Sequence, residues 1–377
     1  MTGSSSLVAV AAGGTGGHLF PAECLAKELA DRGHRLAWIT DERGAGRSSF
    51  LTGVETYTIS ARGLAGFGAL GRLTGALSLG VGVFQARRLL KEMQPNAVVG
   101  FGGYAAAPTM MAATHLGLTT VIHEQNAVIG RANRLFARRV NQICTTFTST
   151  RLLPDGISPI QTGLPVRQAF KAIRERGYTA PDQNGEIRIL VLGGSQGAAV
   201  FSHLVPAALK RIPEELRSRI VVTQQCRGEI VEQTKLAFSN CGVKATLQPF
   251  FDNVPDLIGR AHFIVARSGA STITEVAMAG RPALFVPYPY AADDHQTDNA
   301  KVMQKIGGSW SERQNDLTPA ILADQLETLL TSPNALVAAA DKARSVAVPD
   351  AAARLANVIE ELIHGSNGHS VEARGAA

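Results

Sequence analysis

Leu7-Val8-Ala9-Val10-Ala11 runs into Gly13-Gly14-Thr15-Gly16-Gly17-His18, and Ile187-Arg188-Ile189-Leu190-Val191-Leu192 runs into Gly193-Gly194-Ser195-Gln196-Gly197-Ala198. Each is an apolar strand pattern that ends in a glycine-rich turn, and a helical pattern follows each. Glycine lets the backbone turn sharply and approach a ligand closely, and a helix N-terminus behind the turn favours anions. One such unit points to a nucleotide-binding α/β domain. Two, in opposite halves of the chain, point to two Rossmann-like α/β domains facing each other across a cleft.

The pattern continues outward from both turns. In the first half, Pro21 to Arg32 reads as a helix with Gly33 just past its end, and Leu36 to Thr40 as the next strand. Ala97-Val98-Val99-Gly100 leads into Gly102-Gly103-Tyr104, and Thr119 to Ile122 into His123-Glu124-Gln125-Asn126. In the second half, Phe263 to Ala266 leads into Arg267-Ser268-Gly269-Ala270-Ser271-Thr272, and Ala283 to Val286 into Pro287 to Gln296. Strands alternating with helices imply parallel sheets, whose ligands bind beyond the carboxyl ends of the strands. Every glycine or polar cluster above sits at such an end. The expected domains are 1–164 and 165–349, a helix over 350–364 returning to the first domain, and a disordered tail over 365–377.

Composition narrows the class. The 377 residues are 45% hydrophobic and 18% charged, which suits folded cores in about two domains rather than a disordered chain. A net charge of +6 favours anionic partners such as phosphates or an acidic membrane surface. No recognition motif for nucleic acid is present, and none is expected as a partner. Cys24, Cys144, Cys226 and Cys241 form no metal-binding spacing and read as reduced thiols. Residues 64–90 are apolar, with Arg62 and Arg72 at or near the start and Arg87, Arg88 and Lys91 at the end. Arg72 and the glycines interrupt the roughly 20 apolar residues a membrane span needs. Two readings stay open: a core helix, or an apolar helix with basic flanks lying on an anionic membrane, with Phe84 and Leu89 meeting lipid. Neither glycine turn completes G-x-G-x-x-G, because Leu19 stands where the first needs its last glycine, and neither has the G-K-[ST] of a P-loop. Hydride transfer and ATP hydrolysis are therefore disfavoured.

Six motifs in order, Gly13 to His18, Gly102 to Tyr104, His123 to Asn126, Gly193 to Ala198, Arg267 to Ala270 and Asp294-His295-Gln296-Thr297, resemble the MurG family of bacterial N-acetylglucosaminyltransferases of peptidoglycan synthesis. The resemblance runs from about residue 5 to 363. It implies a glycosyltransferase B fold and inverting transfer of N-acetylglucosamine from UDP-N-acetylglucosamine to the C4 hydroxyl of the muramyl sugar of lipid I, an undecaprenyl-diphosphate acceptor. The product is lipid II, and the location is the cytoplasmic face of the inner membrane, peripherally bound. Three positions depart from the family. Leu164 replaces a frequent Asn, Ala266 replaces a frequent Cys, and residues 63–68 lack the usual Arg and Lys.

The resemblance also assigns roles. An inverting transfer needs a base for the acceptor hydroxyl, and the resemblance gives that role to His18, an imidazole being a common general base. Glu124 is the second candidate base, or else a structural carboxylate. Thr15, Gly16 and Gly17 reach the donor, and Gly14, Gly103 and Tyr104 the acceptor. Asn126 can read a sugar hydroxyl or acetamide, and Arg167 and Ser195 can hold the UDP diphosphate. Phe251 lies by the uracil, with Ala270, Ser271 and Thr272 beside the nucleotide. Glu275 binds the ribose, although Thr272-Ile273-Thr274-Glu275 also fits a helix capping box. His295 and Gln296 contact the donor sugar. No cofactor or metal is expected: the chain has no D-x-D, and Asp293-Asp294 is only an adjacent pair. The same architecture also fits a UDP-sugar 2-epimerase, and a non-catalytic membrane module that binds a nucleotide sugar is a further alternative.

Overall fold

The computed structural model describes residues 5–13, 16–45, 53–61, 69–194 and 198–372; the side chains at 43, 45, 69–74, 76, 104, 105 and 366–372 are outside the description. The chain forms two compact units, Met1–Arg167 with Asp350–Ala377, and Gln168–Pro349.

The first unit holds a seven-stranded sheet: β1 (Leu7–Ala11), β2 (Arg35–Thr40), β3 (Glu55–Thr58), β4 (Ala97–Gly100), β5 (Thr120–Glu124), β6 (Gln142–Thr145) and β7 (Ile160–Gln161). Their spatial order is β3-β2-β1-β4-β5-β6-β7, and each pairing is parallel. The order reverses between β1 and β4, where Val8 to Ala11 lie against Ala97 to Gly100. Connections on either side of that seam leave in opposite directions. This opens a crevice at its carboxyl end, the general ligand position in such sheets.

The second unit repeats the scheme with β8 (Ile187–Leu192), β9 (Ile220–Gln225), β10 (Lys244–Gln248), β11 (Phe263–Ala266), β12 (Ala283–Phe285) and β13 (Trp310–Ser311). Their order is β10-β9-β8-β11-β12-β13, again all parallel, with the reversal between β8 and β11. Each reversal therefore falls next to one of the two glycine-rich turns.

The continuous apolar runs follow from burial on both sheet faces. Successive side chains of β1 point opposite ways. Val8 and Val10 pack with Leu25 and Leu29 of the helix Gly16–Asp31, while Ala9 joins Ile39, Leu90 and Met110 on the other face. That first helix begins earlier than the sequence suggests: Pro21 lies inside it rather than at its start, and Gly33, at φ 87°, ends it. In the second unit Ile187, Ile189 and Val191 pack with Phe201, Leu322 and Leu326.

The helix Ala351–Glu372 lies on the first unit. Leu355 and Ile359 enter the core beside β1. Polar contacts fix its register. Arg32 donates to Glu360 Oε2 at 2.7 Å and to the Ala353 carbonyl at 3.2 Å. His34 accepts from the Ser6 N–H at Nδ1, so its Nε2 carries the proton and donates to Glu360 Oε1 at 2.9 Å. Gly365 stands within this helix rather than at its end, because a glycine inside a helix costs only about 1 kcal/mol and does not forbid continuation.

Candidate active-site residues in the two units

At the seam between β1 and β4, three strand-end segments meet on one backbone oxygen. His18 is the third residue of the helix that follows β1. Its Nδ1 lies 2.8 Å from the Phe101 carbonyl, just after β4, and 3.2 Å from Gln125 Oε1, just after β5. Gln125 also donates its amide to the Phe101 carbonyl at 2.8 Å. Both oxygens facing Nδ1 are acceptors, so Nδ1 carries a proton, and in the neutral ring the lone pair is then on Nε2. Gly103 lies beside the imidazole. It has φ 74°, and a Cβ there would stand 3.6 Å from His18 Nε2. Both the backbone conformation and the open approach to the imidazole suit glycine.

Glu124, at the end of β5, is 1% exposed, and both of its oxygens are engaged. Oε1 accepts from the Asn126 N–H at 3.0 Å and the Asn126 amide at 3.3 Å. Oε2 accepts from the Gly130 N–H at 2.8 Å and the Asn133 amide at 2.8 Å. Four donors and no competing acceptor define a carboxylate that shapes the 126–133 loop. Asn133 had drawn no attention in the sequence, although a polar residue on the apolar side of a short helix is the signal that could have found it.

His123 is wholly buried, donates Nε2–H to the Gly163 carbonyl at 2.8 Å and stacks on Phe101 with ring centroids 5.4 Å apart. Burial lowers its pKa to about 4, so it is neutral at working pH. Arg167 lies over the Phe20 ring, 4.9 Å from its centroid, a cation–π contact on the same unit. Leu164, in the departed position, is buried. Gly14, Thr15 and Ser195, with the loop at 63–68, lie outside the described residues, as does the Tyr104 side chain. Gly16 and Gly17 form the first turn of their helix.

In the second unit most of the residues named from sequence follow β11 and β12, whereas Phe251 follows β10. The helix Ala270–Ala279 starts with Gly269 as its N-cap and no side-chain cap. Thr272 is therefore inside the first turn, and the capping box with Thr272 as cap does not form. Ser271 shares that turn, and Glu275 is buried one turn further on. Gln296 uses its carbonyl oxygen to accept from the Tyr288 N–H at 2.9 Å, with the Ser268 hydroxyl at 3.5 Å. His295 holds the Ala292 carbonyl through Nδ1 at 2.8 Å. Just before them Asp293 and Asp294 both have positive φ, 52° and 53°, an uncommon pair for non-glycine residues. Phe251 is buried. Arg267, absent from the roles read in sequence, braces this edge: one terminal nitrogen donates to the Val286 and Pro287 carbonyls, each at 3.0 Å, and burial lowers its pKa.

A different face of the first unit carries the helix Ala69–Met93. Ala86 and Leu90 are buried and Leu89 packs against the core, while Leu77 is 63%, Val81 51% and Phe84 71% exposed. These three recur at helical spacing on one stripe, followed by exposed Arg87, Arg88 and Lys91. Leu89 thus belongs to the core side, contrary to the sequence expectation, because it lies off the stripe. No helix among the described residues is long and apolar enough to cross a membrane.

The pKa of His123 sets a pH dependence. Above about 6.5 it is neutral in both states, and between about 6.5 and 4 the unfolded chain takes up a proton that the folded one refuses. Stability should fall across that window by up to roughly 3 kcal/mol from this residue. His262, also lowered to about 4 by burial and by Arg188, adds in the same direction. Urea midpoints from pH 7 to 4.5 should fall less steeply for His123→Phe than for the parent; equal slopes would refute this account of His123.

Two family models match the chain: the glycosyltransferase family 28 N-terminal domain over residues 8–145 and the family 28 C-terminal domain over residues 188–355. A UDP-N-acetylglucosamine–N-acetylmuramyl-(pentapeptide) pyrophosphoryl-undecaprenol N-acetylglucosamine transferase from Paramagnetospirillum magneticum is 50% identical, covering 98% of this chain and 100% of its own. The protein of the same name from Rhodospirillum rubrum is 49% identical over 93% of this chain and 91% of its own. The crystal structure of Acinetobacter baumannii MurG superposes with a TM-score of 0.76 at 32% identity, covering 95% of this chain and 99% of that one. With half its residues shared along nearly the whole length, and with both Rossmann-like sheets of the glycosyltransferase B type, the chain belongs to the MurG family of glycosyltransferases.

Proposed function

We propose that this chain transfers N-acetylglucosamine from UDP-N-acetylglucosamine to the C4 hydroxyl of the N-acetylmuramyl sugar of lipid I, with inversion, to give lipid II. The observation that carries the chemical reading is the His18 imidazole, whose Nδ1–H is held by the Phe101 carbonyl at 2.8 Å. That bond leaves Nε2 as the base. As the acceptor oxygen attacks the anomeric carbon, its proton passes to Nε2. The bond from that carbon to the diphosphate breaks, and its electron pair leaves with UDP.

In this reading Gln125 and the Phe101 carbonyl are positioning groups for the base. Glu124 positions Asn126 for the sugar and is not itself the base, since both of its oxygens already accept. Gly14, Gly103 and Tyr104 meet the acceptor, and Thr15, Gly16 and Gly17 the donor. Arg167, Ser195 and the N–H groups of Ala270, Ser271 and Thr272 stabilise the charge that develops on UDP. Glu275 takes the ribose, Phe251 lies by the uracil, and His295 and Gln296 read the donor sugar. The Gln296 carbonyl is tied to the Tyr288 N–H, which directs the amide NH₂ toward a hydroxyl acceptor.

The membrane reading rests on the stripe Leu77, Val81 and Phe84 with its basic end. Such a face suits peripheral binding to the anionic cytoplasmic leaflet, where the lipid acceptor resides.

Two outcomes follow. Wild type should move labelled N-acetylglucosamine from its UDP donor to a lipid I analogue with chelator present, and His18→Ala should lose roughly 100-fold or more in turnover. Appearance of the 2-epimer of the donor without lipid, or no product despite UDP binding, would refute the transferase reading. Leu77→Asp/Val81→Asp/Phe84→Asp should sediment far less with phosphatidylglycerol vesicles than wild type; undiminished sedimentation would remove the docking face.

A further inference from the structure

Four arginines of the second unit meet at the ends of its helices. Arg174 and Arg176 close the helix Ala169–Arg176, Arg344 lies in the last turn of Pro333–Ser345, and Arg281 follows Ala270–Ala279. Arg174 donates to the Arg344 carbonyl at 2.9 Å. Arg281 is buried and donates to the Ala279 and Gly259 carbonyls, each at 2.7 Å. The Arg344 stem crosses Gly280, whose φ is 60°; any side chain at 280 would overlap Arg344 Cγ and Cδ. The Arg344 guanidinium then reaches Gly177, the residue after Arg176, with NH1 3.8 Å from where a Cβ would stand. Glycine at 280 serves both the left-handed end of that helix and the passage of the arginine stem across it.

The cluster contains no acid partner. None of the four arginines is in an ion pair among the described residues. Burial lowers the pKa of Arg281 to about 10, and Arg176 and Arg344 push it the same way. Only Tyr178 opposes them, and burial keeps that phenol neutral. Arg174 is lowered by burial and by Arg344. Helix carboxyl ends provide partial negative charge here, about half a unit each. They engage both terminal nitrogens of Arg281 and one of Arg174. The guanidiniums of Arg176 and Arg344 donate to no group among the described residues.

We propose that Arg174, Arg176 and Arg344, over the buried Arg281, form a second anion site that takes a phosphate-class dianion. Guanidinium forks match pairs of phosphate oxygens, and a tetrahedral dianion offers oxygens to more than one fork at once. The site is separate from the carboxyl-end loops, because it lies at the opposite end of the helix Ala270–Ala279, about 15 Å of helix away. Its two surface helices are the first after the chain enters this unit and the last before it leaves at Pro349. A bound anion would fasten these two helices together.

The test uses the full chain saturated with UDP, so that the donor site is filled, and inorganic phosphate as the probe at matched ionic strength. Wild type should show a phosphate-dependent rise in melting midpoint. Arg344→Ala should weaken phosphate affinity about tenfold or more. Arg176→Glu supplies the missing carboxylate, so it should melt above wild type without phosphate and stop responding to phosphate. A response to phosphatidic acid vesicles instead, abolished by Arg176→Glu, would put the phosphate on a lipid phosphomonoester and keep the site. No response in wild type, or one that survives in both variants, would overturn it.

Discussion

The carbonyl oxygen of Phe101 is the point on which the first unit's chemistry depends. It accepts from His18 Nδ1 and from the Gln125 amide, each at 2.8 Å, and so joins the segments after β1, β4 and β5. Left without donors, a buried carbonyl costs about 1–3 kcal/mol, so the bonds hold the loops as well as the imidazole. The parallel pairing of β1 with β4 makes the meeting possible, since it brings residue 18 beside residue 101. The sheet order therefore sets the tautomer of a side chain, and the tautomer sets which nitrogen faces a substrate.

A second layer supports the first. The Glu124 carboxylate gathers Asn126, Gly130 and Asn133, and an amide could not replace it, because its NH₂ would face donors. His123, neutral and stacked on Phe101, ties β5 to the segment at Gly163. In the second unit Arg267 has the same kind of task, holding the carbonyls that begin the loop leading to the helix of Gln296. Both units thus place polar groups at strand ends through buried, hydrogen-bonded side chains. Binding residues on loops need such fixing, because the loops themselves lack the ladders that hold strands.

Much of this was legible in the sequence, for physical reasons. Strands buried on both faces are largely apolar, and glycine-containing turns follow them, so β1, β4, β8 and β11 could be read directly. The family resemblance found the residues at those ends. Long-range pairing could not be read: nothing local to His18 says that a carbonyl 83 positions away will hold it. Local ambiguity had the same effect elsewhere. Thr272 to Glu275 fits a capping box, but the helix starts at Ala270 with Gly269 as its cap. Leu89 and Phe84 look alike in a run of apolar residues, and only packing against the sheet separates the core side from the stripe of Leu77, Val81 and Phe84. The arginine cluster was invisible because its members come from three segments far apart in the sequence, near 175, 281 and 344.

The most direct test of the central claim is the nitrogen chemical shifts of His18 in ¹⁵N-histidine-labelled protein at neutral pH, assigned by comparison with His18→Gln. The account predicts a protonated Nδ1 and an unprotonated Nε2, the form able to accept the acceptor's proton. A neutral ring with its proton on Nε2 would contradict it, because that nitrogen could no longer act as the base.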